Sequence, residues 1–181
     1  VRPGETVLVN SAGSGVGTAA VQIARILGAK VLAIAGSDQK IAYARTLGAE
    51  DGVNYNTRPD FGKAILQMTN GEGVDVVLDT VGAAFWDQSI SCIKYRGRLV
   101  NSGLIGGSVT TLNIADLASR GISVIGTGKR NRKEFADMMK MARRGNLRGV
   151  VGKVFPLQDA PQAHQLMENR EFIGKIVLQI P

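Results

Sequence analysis

A chain of 181 residues with 44% hydrophobic and 20% charged side chains is sized for one packed core. Its single cysteine, Cys92, and single histidine, His164, exclude an internal disulfide and a zinc site built from the usual three or four soft ligands, and no apolar run approaches the ~20 residues that span a bilayer. A reducing, cytoplasmic setting is the expectation, with no membrane and no targeting segment. The net charge of +7 admits two phosphate-rich partners, a nucleic acid or a cofactor. The nucleic acid is disfavoured without being excluded, because the stretch Lys129, Arg130, Arg132, Lys133, Lys140, Arg143 and Arg144 interleaves no aromatic beyond Phe135 and reads mostly as a solvated helix face.

In chain order, short apolar runs alternate with helical patterns. A strand at 6–9 leads to a helix at 16–27, and the pair recurs as 31–35 with 39–47, 53–55 with 61–68, 74–79 with 85–93, 98–101 with 114–118, and 123–126 with 133–143. Several of these strands are continuously apolar, as strands buried on both faces must be. Glycines at Leu27-Gly28-Ala29 and Leu47-Gly48-Ala49 mark helix ends, where a left-handed residue closes the turn. The last helix of the series aligns Phe135, Met138, Met139 and Ala142 on one stripe, which predicts core filling. After Gly149 the pattern changes to a strand at 150–155, a helix introduced by Asp159 and Pro161, and a strand at 175–180. Repeated parallel crossovers on alternating faces predict an α/β fold with a doubly wound parallel sheet, binding its ligand beyond the carboxyl ends of the strands.

The first strand runs directly into Ser11-Ala12-Gly13-Ser14-Gly15-Val16-Gly17, which opens the first helix. Small residues there allow a tight turn, close approach of backbone to a pyrophosphate, and close packing of helix on strand. The unpaired amides of the first helical turn then face the anion. The spacing departs from Gly-x-Gly-x-x-Gly, since Ala12 and Ser14 stand where the earlier glycines would be. The second strand ends Ile34-Ala35-Gly36-Ser37-Asp38-Gln39-Lys40, with Gly36 where an acid would take the ribose hydroxyls of NAD, and Asp38 later, as a helix start. Gly36 leaves room for an extra phosphate, Ser37 can donate to it and Lys40 supplies charge, so NADPH is favoured over NADH.

These pieces, continued by Val53-Asn54-Tyr55, Gly73 to Asp79, Gly97 to Val100 and Gly174 to Leu178, resemble the zinc-independent quinone oxidoreductase branch of the medium-chain dehydrogenase/reductase superfamily. The resemblance implies a Rossmann coenzyme-binding domain at 1–149 and, at 150–181, the C-terminal segment of a substrate domain whose larger part is absent, the chain being a fragment. It implies pyrophosphate against the backbone of Ser14, Gly15 and Val16. A 2′-phosphate pocket would be built from Gly36, Lys40, Tyr55 and Arg170, and the nicotinamide and its ribose would lie near Thr80, Val81, Ser102 and Gly103. The implied reaction is hydride transfer from NADPH to a quinone or α,β-unsaturated carbonyl, with no metal and no acid or base identifiable in this chain. His164 reads as a surface residue and Cys92 as a packed one. Rivals are an enoyl-reductase module of a fatty-acid or polyketide-type synthase, a zinc alcohol dehydrogenase with its ligands elsewhere, and a non-catalytic nucleotide- or RNA-binding relative. The edge strand 123–126 predicts a homodimer.

Overall fold

The structure, a computed structural model, describes residues 1–128 and 131–181. Along the chain run β1 (Thr6–Val9), α1 (Gly15–Ile26), β2 (Lys30–Ala35), α2 (Asp38–Thr46), β3 (Asp51–Asn54), α3 (Phe61–Met68), β4 (Val74–Asp79) and α4 (Trp86–Ser91). There follow β5 (Ile93–Asn101), α5 (Ile114–Arg120), β6 (Ser123–Gly126), α6 (Arg132–Arg143), β7 (Val151–Pro156), α7 (Ala160–Glu168) and β8 (Lys175–Gln179). Among the described residues, six strands form one parallel sheet in the order β3-β2-β1-β4-β5-β6, and β7 and β8 pair in parallel as a second.

Strand periodicity decides which face each side chain supplies. Val7 and Val9 of β1, with Val31, Ala33 and Ala35 of β2, join one core, into which α1 sends Val21 and Ala24 and α2 sends Ile41 and Ala44. The alternate residues Leu8, Leu32 and Ile34 join the other, against Phe61, Ala64 and Ile65 of α3 and Ile90 of α4. Helices therefore cover both faces of a sheet whose central strands are buried on each, which is the doubly wound arrangement the apolar runs predict.

Two expectations are corrected. The fifth strand starts at Ile93, five residues earlier than its apolar segment, and α4 ends at Ser91. Polar Lys94-Tyr95-Arg96 disguises it, and the strand bends there: Arg96 takes a left-handed φ of 59°, the β4–β5 register shifts between Val74 and Val76, and a Cβ on Gly97 would strike Ile93. The stripe on α6 does not fill the core. No residue of α6 is buried, Phe135 being 63% exposed, because the helix follows the sheet's last strand, β6, which is itself exposed along its whole length. Of the basic stretch around α6, Lys129 and Arg130 lie outside the described residues; Lys133 and Lys140 both pair with Asp137 on the helix surface.

The C-terminal pair β7–β8 docks on the main sheet by a few specific contacts. Val150 is buried in the first core with Ile173 packed beside it, and the Gly174 amide donates to the Gly13 carbonyl at 2.8 Å. The Gln22 side-chain amide both donates to the Arg148 carbonyl (3.1 Å) and accepts from the Arg148 amide (3.0 Å). Beyond these contacts the pair is open, with Val151 and Val154 about half exposed. No helix among the described residues is long and apolar enough to cross a membrane.

Candidate nucleotide site

In the order 3-2-1-4-5-6 the connections leaving β1 and β4 diverge, which makes their carboxyl ends the switch point where a doubly wound sheet binds its ligand. The loop after β1 is shaped to leave backbone amides facing it. Ser11 adopts a left-handed φ of 54°, the Ser14 amide donates back to the Ser11 carbonyl at 2.8 Å, and the Ser14 hydroxyl caps α1 by accepting from the Gly17 amide at 3.0 Å. A Cβ on Gly17 would run into the Ser11 carbonyl, so glycine permits the helix to start this close to the strand. Ser14 has thus spent its amide within the loop, while Gly15 and Val16 occupy the first turn of a 12-residue helix, where amides lack intrahelical acceptors.

Two lysines flank this loop. A Cβ on Gly13 would come within 2.9 Å of Lys40 Cδ, and one on Gly15 would strike the side chain of Lys175. Lys175 opens β8, and the bridge between Ser14 and Gly174 brings it over the loop. Sequence reasoning placed Lys175 in a strand and gave it no role, for no local pattern reveals that a strand so distant in the chain crosses the start of α1.

Gly36, Ser37, Lys40, Tyr55 and Arg170 line one cleft of about 750 Å³ between the end of β2 and the C-terminal segment. Lys153 and Glu171 also line it, the Lys153 ammonium lying 5.7 Å from the centre of the Phe155 ring. A Cβ on Gly36 would stand 2.7 Å from the Tyr55 hydroxyl, so any side chain there would have to displace that ring. Tyr55 packs on Phe85 in a T-shaped arrangement, centroids 5.1 Å apart. Ser37 caps α2, its hydroxyl accepting from the Lys40 amide at 3.3 Å, and keeps its own proton to donate. The Lys40 ammonium donates to the Arg170 carbonyl across the cleft and lies 6.0 Å from the centre of the Phe172 ring. Burial, and then the nearby Arg170 charge, push its pKa below the ordinary lysine value. Arg170, two residues beyond the end of α7, takes a left-handed φ of 57°, where a glycine would be more relaxed.

At the carboxyl ends of β4 and β5, Thr80, Val81, Ser102 and Gly103 come together around a buried carboxylate that sequence reasoning missed. Asp79 accepts from the Val81 amide (2.9 Å), the Gly82 amide (3.0 Å) and the side-chain amides of Asn10 (3.2 Å) and Asn101 (2.8 Å). Asn101 also donates to the Gly103 carbonyl at 2.8 Å, and the Ser102 amide donates to the Asp79 carbonyl at 2.8 Å. The available signal was an acid closing the otherwise apolar Val74-Asp75-Val76-Val77-Leu78-Asp79, because a buried charge needs converging donors. Asn10 keeps one buried oxygen, Oδ1, without a partner in the structure.

Cys92 is fully buried, its thiol pushed up to about 12 by burial, and His164 is exposed on α7, so neither is set up as a nucleophile or base. Among the described residues, no three histidine, cysteine or acidic side chains gather as a metal site.

Comparison with known proteins places the chain in a family. A family model described as zinc-binding dehydrogenase matches residues 15–144. A 2-haloacrylate reductase from Burkholderia sp is 35% identical over 98% of this chain and 56% of its own length. A solved NAD-dependent alcohol dehydrogenase superposes with a TM-score of 0.90 at 40% identity, covering 100% of this chain and 52% of its own. Escherichia coli quinone oxidoreductase complexed with NADPH gives 0.86 at 31%, covering 100% and 58%. The chain thus spans about half the length of the proteins it matches, and the metal in the family's description finds no fitting ligand set among the described residues. The chain belongs to the zinc-binding dehydrogenase family, as a quinone-oxidoreductase-like coenzyme-binding domain of the medium-chain dehydrogenase/reductase superfamily.

Proposed function

We propose that this chain is the NADPH-binding part of an oxidoreductase that reduces a quinone or an α,β-unsaturated carbonyl. The observation that carries the reading is the cleft at the end of β2, where Lys40 and Arg170 meet beside Gly36, a residue with no carboxylate to repel a phosphate. The amides of Gly15 and Val16, with Lys175 above them, hold the pyrophosphate; Lys40, Arg170, Ser37 and Tyr55 hold the 2′-phosphate. The turn clamped by Asp79 positions the nicotinamide end beside Thr80, Val81, Ser102 and Gly103. When bound, the cofactor supplies a hydride; the chain's part is to fix the donor's position and exclude water from it, which lowers the barrier by removing orientational freedom before reaction.

Residues 150–181 belong, in this reading, to the substrate-side domain, which accounts for an open two-stranded sheet too small to be stable alone. The exposed edge of β6 pairs with a second copy, and the protein works in the reducing cytoplasm. NADH preference is the rival, favoured by the likeness to an NAD-dependent alcohol dehydrogenase. Calorimetric titration of the full-length protein separates the two. NADPH should bind about tenfold or more tightly than NADH, and Lys40→Ala should weaken NADPH by about tenfold with little change for NADH. Equal affinities, unmoved by Lys40→Ala, would overturn the cofactor assignment.

A further inference from the structure

Asp38 is the one acid at the end of β2, and it stands apart from the cleft beside it. Ser37 and Gln39, its neighbours on either side, both line the cleft, as does Lys40, whereas Asp38 does not. Its carboxylate is held on the other side by Asn54, the last residue of β3, whose Nδ2 donates to Asp38 Oδ1 at 3.0 Å. The orientation of that amide is fixed from behind, since Asn54 Oδ1 accepts from the Asn56 amide at 3.1 Å. Asn56 in turn donates from its side chain to the Gly36 carbonyl at 2.7 Å, and the Tyr55 amide donates to the Ala35 carbonyl at 3.0 Å. The ends of β2 and β3 are thereby stitched together with Asp38 drawn toward β3.

We propose that Asn54 is a specificity-determining positioning residue: by holding Asp38 against the end of β3, it keeps a second carboxylate, beyond that of Glu171, out of the cleft and sets the preference for a cofactor bearing a 2′-phosphate. Asp38 is the first residue of α2 and is exposed, and the Asn54 contact is its one side-chain hydrogen bond among the described residues. Released, its carboxylate reaches toward the space beside Ser37. There it repels a phosphate dianion, and it accepts hydrogen bonds from the free hydroxyls of an unphosphorylated ribose. One amide contact thus acts on both cofactors in opposite directions. The inference rests on the NADPH reading above.

The test uses the full-length protein and the ratio of its dissociation constants for NADH and NADPH, a quantity insensitive to the fraction of molecules folded. Asn54→Ala should lower that ratio by about fivefold, the effect of one screened charge contact at a surface. Asp38→Asn should leave it at or above the unaltered value, and the double variant should restore it to within about twofold, since without the carboxylate Asn54 has nothing to hold. A ratio unchanged by Asn54→Ala, or a loss that persists in the double variant, would overturn the proposal. Equal affinities in the unaltered protein with no response to Lys40→Ala would instead overturn the cofactor reading, and this proposal with it.

Discussion

At the scale of single residues, the groups that line the candidate site fall into those with a local sequence signature and those without one. Gly36, Ser37 and Lys40 are legible because a strand end with glycine in place of an acid, followed by a helix cap and a lysine one turn on, is a contiguous pattern. Tyr55 and Arg170 have no such pattern and were assigned by resemblance alone, yet the chain brings them to the same cleft. Asp79, Asn10 and Asn101 escaped notice because their bonds join β1, β4 and β5, which only the folded topology makes neighbours. Their importance is testable. Asp79→Asn replaces an acceptor by an amide that turns a donor toward the side-chain amide of Asn10 or Asn101, and should destabilise the protein by about 1–3 kcal/mol. Denaturant unfolding of the variant measures this, and an unchanged midpoint would mean the carboxylate does not hold the turn.

At the scale of elements, hydrophobic runs and glycine stops located the strands and helices of the main sheet well, because strands buried on both faces carry a strong apolar signal. Where that signal weakens, so does legibility: the first half of β5 is polar and bent, and the apolar stripe of α6 records a face that nothing among the described residues buries. The sheet's amino-terminal end is tied by Arg98, which donates two bonds to Glu5 at 2.9 and 2.7 Å. These bonds, aided by the Arg2 amide, lower the Glu5 pKa from 4.5 to about 2. A depressed carboxylate contributes stability that is complete above the unfolded value and disappears as pH falls through the folded one. Thermal midpoints of the native protein and Glu5→Gln should therefore differ most above pH 4.5, by about 1–2 kcal/mol in stability, and converge toward pH 2. A difference independent of pH would contradict this account of the pair.

At the scale of the whole molecule, the exposed β6 edge, with Val124 and Ile125 each 43% exposed, is unfinished in a way that pairing with another copy would complete. Replacing Val124 by proline should convert a dimer of the full-length protein to monomer by light scattering; a monomer before the change would refute the pairing. The central claim concerns charge: amides at the start of α1 hold one diphosphate, and cations beside β2 hold one further phosphate. Titrating the full-length protein with 2′-phospho-ADP-ribose and with ADP-ribose tests it most directly, because the two differ only in that phosphate and neither carries a nicotinamide. The phosphorylated form should bind about tenfold more tightly, with a steeper loss of affinity in added salt. Equal affinities with equal salt dependence would contradict the account.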